Sequence, residues 1–149
     1  MFMKKKDAFL GLDLGEKTLG VSISEFGIFV NNLKTIFFRL NQYNELIKPL
    51  FEIIEKFQIT KIILGYPKHM NNDVGIKAKI SINFLELMKK KFDCVEIILW
   101  DERLTTKQAY RFLREGRCKK KKIKEIKDQM AASIILQNFL NYHNSRFRE

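Results

Sequence analysis

Three acidic positions of this strongly basic chain fall at or near the ends of predicted elements: Asp13, the pair Asp101 and Glu102, and Asp128. Carboxylates that converge hold Mg²⁺ or Mn²⁺, because hard cations prefer oxygen ligands. Two such ions can hold both the attacking and the leaving oxygen of a phosphodiester. These residue types therefore favour metal-dependent hydrolysis of a phosphodiester.

Asp13 lies in the sequence LGLDLG, residues 10–15, whose leucines alternate with glycine or aspartate. This period of two is typical of a β-strand whose two faces meet different surroundings. A carboxylate inside a buried strand costs several kcal/mol unless a cation meets it, and the neighbouring glycines leave room for one to approach. The alternative is an aspartate that only caps the turn at Gly15, and the spacing by itself does not separate the two.

Asp101 and Glu102 follow the last predicted strand directly. Neighbouring side chains of a strand point to opposite faces, so both should not reach one metal ion. We expect Glu102 to be the ligand and Asp101 to turn towards Arg103 or a backbone cap. Each acid also has a simpler interpretation, because Asp101 and Arg103 could form a local salt bridge and Asp128 could stabilise a helix N-terminus.

The elements that must position these acids follow from hydrophobic periodicity. We predict a first strand around Asp13 that forms a hairpin with a second, a third strand directly after it, and two more strands that each follow a helix. All of these elements should belong to a single domain of residues 1–149. The predicted strands are 18–24, 28–37, 61–65 and 94–100, and the predicted helices are 42–57 (kinked at Pro49), 73–92, 107–115 and 124–142. This order predicts an α/β fold: one mixed five-stranded sheet with helices on both faces.

The amino-acid composition indicates which kinds of partner the protein could bind and where it is located. The 149 residues carry a formal net charge of +11 and a sequence pI near 9.7, which favours a polyanion such as nucleic acid. The apolar runs are too short to span a membrane, and the first residues lack the core of a signal peptide, so we expect a soluble, cytoplasmic protein. Cys94, in a predicted strand, and Cys118, in a basic loop, have no zinc-type spacing and are expected to be reduced thiols, one of them in the core.

The positive charge is concentrated in residues 103–124, where Glu115 is the only acid. We expect this segment to bind nucleic acid, although a lysine run is often only a solvated or disordered loop. Its basic residues are Arg103, Lys107, Arg111, Arg114, Arg117, Lys119, Lys120, Lys121, Lys122 and Lys124.

Four motifs together resemble the YqgF/RuvX family of the RNase H-like superfamily, over nearly the whole chain. They are GLDLG (11–15), GYPKHMN (65–71), DERLTT (101–106) and DQMAA (128–132). The resemblance implies an RNase H-like nuclease that processes pre-16S rRNA or resolves Holliday junctions, with catalytic acids at Asp13, Glu102 (or Asp101) and Asp128. One departure is Asn72, where the family pattern leads us to expect glycine.

The resemblance also implies Mg²⁺ or Mn²⁺ held by Asp13, Glu102 and Asp128, and a partner that is an rRNA precursor, branched DNA or a ribosomal particle. The predicted nucleic-acid contacts are Lys17, Tyr66, Lys68, Arg103, Arg117, Lys119, Lys120, Lys121, Lys122 and Lys124. Tyr66 follows a strand where its ring could stack on an unpaired base. The choice between RNA and DNA, and between monomer and homodimer, stays open at this point.

Two other classes of protein fit parts of the sequence. Actin-like ATPases and sugar kinases also begin with a D-x-G hairpin, but they need a second domain to close over a nucleotide, and this chain has no length for one. A protein that binds nucleic acid through its basic surface without cutting it is the stronger alternative.

Overall fold

Five β-strands form one mixed sheet in the computed structural model, which describes residues 7–66, 72–101 and 120–145. The strands are β1 (Phe9–Leu14), β2 (Thr18–Ser24), β3 (Asn31–Phe37), β4 (Lys61–Tyr66) and β5 (Glu96–Asp101). Their order in the sheet is β3-β2-β1-β4-β5, with β2 antiparallel to both β1 and β3, and β4 parallel to both β1 and β5. The predicted hairpin and the predicted mixed sheet are confirmed.

Helices cover both faces of this sheet, as predicted. They are α1 (Ile47–Phe57), preceded by a 3₁₀ turn (Tyr43–Leu46), α2 (Asn72–Lys91) and α3 (Lys120–Ser145). The side chains of α1 and α2 that pack on the sheet, such as Leu50 and Phe84, belong to one buried apolar cluster. Those of α3, such as Leu136 and Phe139, belong to a second cluster on the opposite face. We call these surfaces of the sheet the α1–α2 face and the α3 face.

The alternation along β1 decides which of its residues meet each face. Leu10 and Leu12 lie in the α1–α2 cluster, whereas Phe9 lies in the α3 cluster. Because side chains alternate along a strand, Gly11 and Asp13 share the α3 face with Phe9. Asp13 therefore points towards the face that α3 covers.

Close contact between α3 and β1 depends on a missing side chain at Gly11. A Cβ atom at this position would lie 2.7 Å from the carbonyl oxygen of Ala132 and 2.7 Å from Cβ of Leu136. Ala131 and Ala132 are buried at this contact. The small residues of the GLDLG and DQMAA motifs thus let a helix approach the sheet more closely than larger side chains would permit.

Several predicted boundaries are wrong for physical reasons. Pro49 does not kink a helix, because it is the third residue of α1, in the first turn, where its missing N–H leaves no hydrogen bond unmade. β3 begins at Asn31 instead of residue 28, and Ile28 and Phe29 are exposed in the segment before it. α3 begins at Lys120, four residues before the predicted start.

Cys94 is exposed and precedes β5, so the predicted strand position for this cysteine is wrong, and Cys94 is not the expected core cysteine. Cys118 and the predicted helix 107–115 lie outside the described residues. In the parts of the chain that the structure describes, no helix is both long and apolar enough to cross a membrane.

The two glycines Gly11 and Gly75 allow a matched test of the close contact. We expect Gly11→Ala to destabilise the fold by about 1–3 kcal/mol, because the added methyl overpacks the α3 contact. Gly75 lies in α2 with nothing within 4 Å of its Cβ position, so Gly75→Ala should stabilise by about 0.5–1 kcal/mol. Urea denaturation of both variants measures the difference, and equal effects would contradict the close contact.

Candidate active site

Asp13 occupies the centre of the site, on β1 near its carboxyl end. It is half-buried and pairs with Gly20 across the β1–β2 hairpin. Paired residues of antiparallel strands project to the same face, so the Cα hydrogen of Gly20 leaves open space beside the Asp13 side chain. The helix α3 enters that space.

The backbone of Asp128 lies directly over Gly20. A Cβ atom at Gly20 would be 2.5 Å from the carbonyl carbon of Asp128 and 3.2 Å from its Cα. Paired Cα atoms of antiparallel strands are about 4.5–5.5 Å apart, so Asp128 sits one strand away from Asp13 on the same face. One of its carboxylate oxygens, Oδ2, is shielded from solvent. The structure thus brings together two of the predicted acids, from the first strand and the last described helix.

Asp101 lies on the other face. It ends β5, where Ile97 and Leu99 pack into the α1–α2 cluster, while Trp100 packs into the α3 cluster. The alternation places Asp101 on the α1–α2 face beside its register partner Tyr66. Glu102 lies outside the described residues.

The two neighbouring aspartates offer only oxygen donors, which fits Mg²⁺ or Mn²⁺ better than a soft metal. Within residues 7–66, 72–101 and 120–145, no three acidic, histidine or cysteine side chains come close enough to hold a metal ion. Asp13 and Asp128 therefore fit as two ligands of a divalent cation and leave the remaining positions to other groups.

Polar side chains on β2 and β3 fasten α3 to the sheet around Asp128. The hydroxyl of Ser22, fully buried, donates a 2.8 Å hydrogen bond to the carbonyl oxygen of Ala132. The amide of Gln129 donates to the hydroxyl of Thr35 at 3.2 Å. None of these three side chains was predicted from the sequence, although the position of Gln129 directly after Asp128 was a signal that it lies near the site.

Two of the predicted nucleic-acid contacts lie at the same end of the sheet as Asp13. Lys17 is exposed in the turn between β1 and β2. Tyr66 is half-buried at the end of β4, and the alternation along that strand places it on the α1–α2 face with Ile62 and Leu64. Four of the predicted lysines lie in the first turns of α3, not in a loop, and that helix leads directly to Asp128: Lys120, Lys121, Lys122 and Lys124. Lys68, Arg103, Arg117 and Lys119 lie outside the described residues.

Two residues in the 3₁₀ turn have shifted pKa values, Tyr43 and Glu45. Two hydrogen bonds from Arg39 hold the pKa of Glu45 below its ordinary value. The bond from the backbone N–H has the larger effect, and the bond from the guanidinium has the smaller one. The pKa of Tyr43 is raised, mainly because the side chain is partly buried and to a smaller degree because of the negative charge of Glu16.

The sheet order, the helices on both faces and an aspartate on the central strand beside a second on the last described helix define an RNase H-like α/β fold. A solved structure with this fold is that of T. thermophilus RuvC in complex with a Holliday junction substrate. The likeness has a TM-score of 0.56 at 12% sequence identity and covers 93% of this chain and 97% of that one.

Sequence comparison gives the family. The family model described as "RuvX: Holliday junction resolvase" matches residues 7–142, so the chain belongs to the RuvX family. A relative from Aster yellows witches'-broom phytoplasma (strain AYWB), named "Putative pre-16S rRNA nuclease", is 59% identical over 93% of this chain and 91% of its own length. A relative with the same name from Onion yellows phytoplasma (strain OY-M) is 57% identical over 95% of this chain and 94% of its own length.

Two buried serines of β2 provide a test of how α3 is held. Ser22→Ala removes the hydrogen bond to Ala132 and should destabilise by about 1–2 kcal/mol. Ser24 is equally buried, but its hydroxyl has no hydrogen-bond partner among the described residues, so Ser24→Ala should be neutral or stabilising. Thermal unfolding of the two variants compares them directly. Equal losses of stability would show that the Ser22 bond does not hold the helix.

Proposed function

We propose that this protein is a metal-dependent nuclease that hydrolyses a phosphodiester bond in the precursor of 16S rRNA. The observation that carries the proposal is the position of Asp128 over Gly20, next to Asp13 on the same face of the sheet. The names of the relatives from the two phytoplasmas support rRNA as the substrate. The formal charge of +11 supports a polyanionic partner.

We assign three ligands of Mg²⁺ or Mn²⁺: Asp13, Asp128 and Glu102. The register of β5 favours Glu102 over Asp101, because Asp101 lies on the face away from Asp13. A divalent cation held by these groups supplies positive charge to the phosphodiester and to the attacking water. Asp13 and Asp128 would hold such an ion through their carboxylate oxygens, and the close packing of α3 on Gly20 would keep the two side chains side by side.

The basic residues supply affinity for the phosphate backbone. Lys17 follows Asp13 in the hairpin turn, and the lysines at the start of α3 precede Asp128 in the same helix, which supports a polyanionic strand such as RNA as the partner. We assign the activity to the cytoplasm and to ribosomal particles that carry the precursor. The exposed free thiol of Cys94 is compatible with that reducing compartment.

Branched DNA is the second candidate substrate, because the family model is described as a Holliday junction resolvase. Resolution of a junction requires a cut in each of two strands and therefore two active sites. A homodimer would favour this function, whereas a monomer favours processing of RNA. Sedimentation of the protein with each nucleic acid measures its oligomeric state and so distinguishes the two functions. Binding of a nucleic acid without cleavage would instead support a protein that only binds nucleic acid.

Substitution of the acids tests the catalytic assignment. Asp13→Asn should lower the rate of cleavage of labelled precursor rRNA in Mg²⁺ by at least about 100-fold, since it removes a metal ligand, and Glu102→Gln should behave alike. Asp101→Asn is the matched control on the other face and should retain most of the activity. The same assay with a four-way DNA junction compares the two substrates.

The outcome of this assay decides between the assignments. Wild-type turnover by Asp13→Asn would overturn the metal site. Loss of activity in Asp101→Asn with full activity in Glu102→Gln would instead exchange the roles of these two neighbours. Circular dichroism of each variant shows whether the fold is retained.

Replacement of four lysines separates binding from chemistry. Substitution of Lys119, Lys120, Lys121 and Lys122 by alanine should weaken binding alike for all RNA sequences and flatten the salt dependence by about 0.7–0.9 log unit for each phosphate that is no longer neutralised. Turnover at saturating substrate should change far less. Lys124, about one helical turn before Asp128, should differ, because its replacement should lower the rate itself if it points into the site. An unchanged affinity and salt slope in the quadruple variant would show that this lysine run does not bind the substrate.

A further inference from the structure

Two side-chain pairs join α3 to the edge strand β3. In the first, the amide of Gln129 donates to the hydroxyl of Thr35 at 3.2 Å. In the second, one helical turn further along α3, the hydroxyl of Ser133 donates to the side-chain oxygen of Asn32. The first pair is half-buried and its glutamine directly follows Asp128, whereas the second pair is exposed.

A β-bulge in β3 aligns both pairs with the helix. Thr35 is paired with Gly20, and Asn32 is paired with Ser22, but the register shifts between these two positions. The extra residue puts Asn32 and Thr35 on one face although they are three positions apart in sequence. Without the bulge they would point to opposite faces. Their spacing then matches Gln129 and Ser133, which are four apart and lie on one side of α3.

Within residues 128–144 of α3, the bulky side chains of the α3 cluster lie well beyond Asp128: Ile135, Leu136, Phe139 and Leu140. Beside Asp128 the helix packs through its backbone and small side chains on a sheet that presents glycines there. Such a contact lets helix and sheet approach closely but offers few interdigitating side chains. Hydrogen bonds are directional, so the polar contacts of this turn can set its orientation.

We propose that Thr35 and Gln129 form a positioning pair, which sets the rotation of α3 so that Asp128 faces Asp13. Asp13, Gly20 and Thr35 are successive partners across β1, β2 and β3, and Asp128 lies over the middle one. Gln129 bonds to the outer member of this row, so the helix cannot turn Asp128 away from Asp13 without breaking that bond. The inference rests on the proposed function only for the catalytic role of Asp128.

The neighbouring positions of Asp13 and Asp128 give the positioning pair a readout that needs no catalysis. Two carboxylates held close together should repel each other in the absence of a divalent cation, so Asp13→Asn should raise the Tm of the wild-type protein by about 2–4 °C. In Thr35→Val the helix turn is free to relax, so the repulsion is already partly relieved. The same Asp13→Asn change should then raise the Tm by about half as much.

Ser133→Ala is the matched control, because it removes the corresponding bond one turn away. In that background the rise in Tm on Asp13→Asn should be undiminished. A rise that is equal in the wild-type, Thr35→Val and Ser133→Ala proteins would overturn the positioning role, as would an equal reduction in both variants.

Titration with Mg²⁺ gives a second readout, followed by the Tm and independent of cleavage. Thr35→Val should raise the Mg²⁺ concentration for the half-maximal shift by about fivefold, because the ion must first reassemble its two carboxylates, and Thr35→Ser should restore the wild-type value. Ser133→Ala should leave it unchanged. Equal midpoints in Thr35→Val and Ser133→Ala contradict the inference. Absence of cleavage by the wild-type protein would refute the nuclease alone, since the Tm comparison stands without it.

Discussion

The contact of the α3 backbone with the bare backbone of β1 and β2 is the constraint on which the site depends. Gly11 and Gly20 leave no side chain between helix and sheet, and Ala131 and Ala132 add almost none. The hydroxyl of Ser22 fits in the remaining gap and donates an additional hydrogen bond to the helix carbonyl of Ala132. This contact determines that a carboxylate of α3 lies beside one of β1, because any larger side chain would separate the two layers.

The sheet contributes a second constraint, which is the strict division of its two faces. Each central strand sends alternate residues to the α1–α2 cluster and to the α3 cluster. Neighbours in sequence such as Trp100 and Asp101 therefore belong to different environments. Asp13 and Asp101 therefore lie on opposite faces of the sheet.

Much of the fold could be predicted from the sequence where one local signal dominates. The bounds of β2 follow from its period-two pattern between turn residues, and the hairpin follows from Gly15. The juxtaposition of Asp13 and Asp128 was predicted from the residue types and the family motifs. The start of α3 was missed because a run of lysines carries no apolar periodicity, and the bulge at β3 was missed because it depends on pairing with β2.

The pairing of the first strand with the last described helix also governs when the site can form. Asp13 and Asp128 belong to elements that are separated by the other four strands and by α1 and α2. Contacts between such distant segments form late, because a long loop must close before they stabilise the fold. During synthesis on the ribosome, the hairpin emerges long before α3. Asp13 thus remains without its neighbour Asp128 for most of translation, and the two aspartates meet only when α3 docks on the finished sheet.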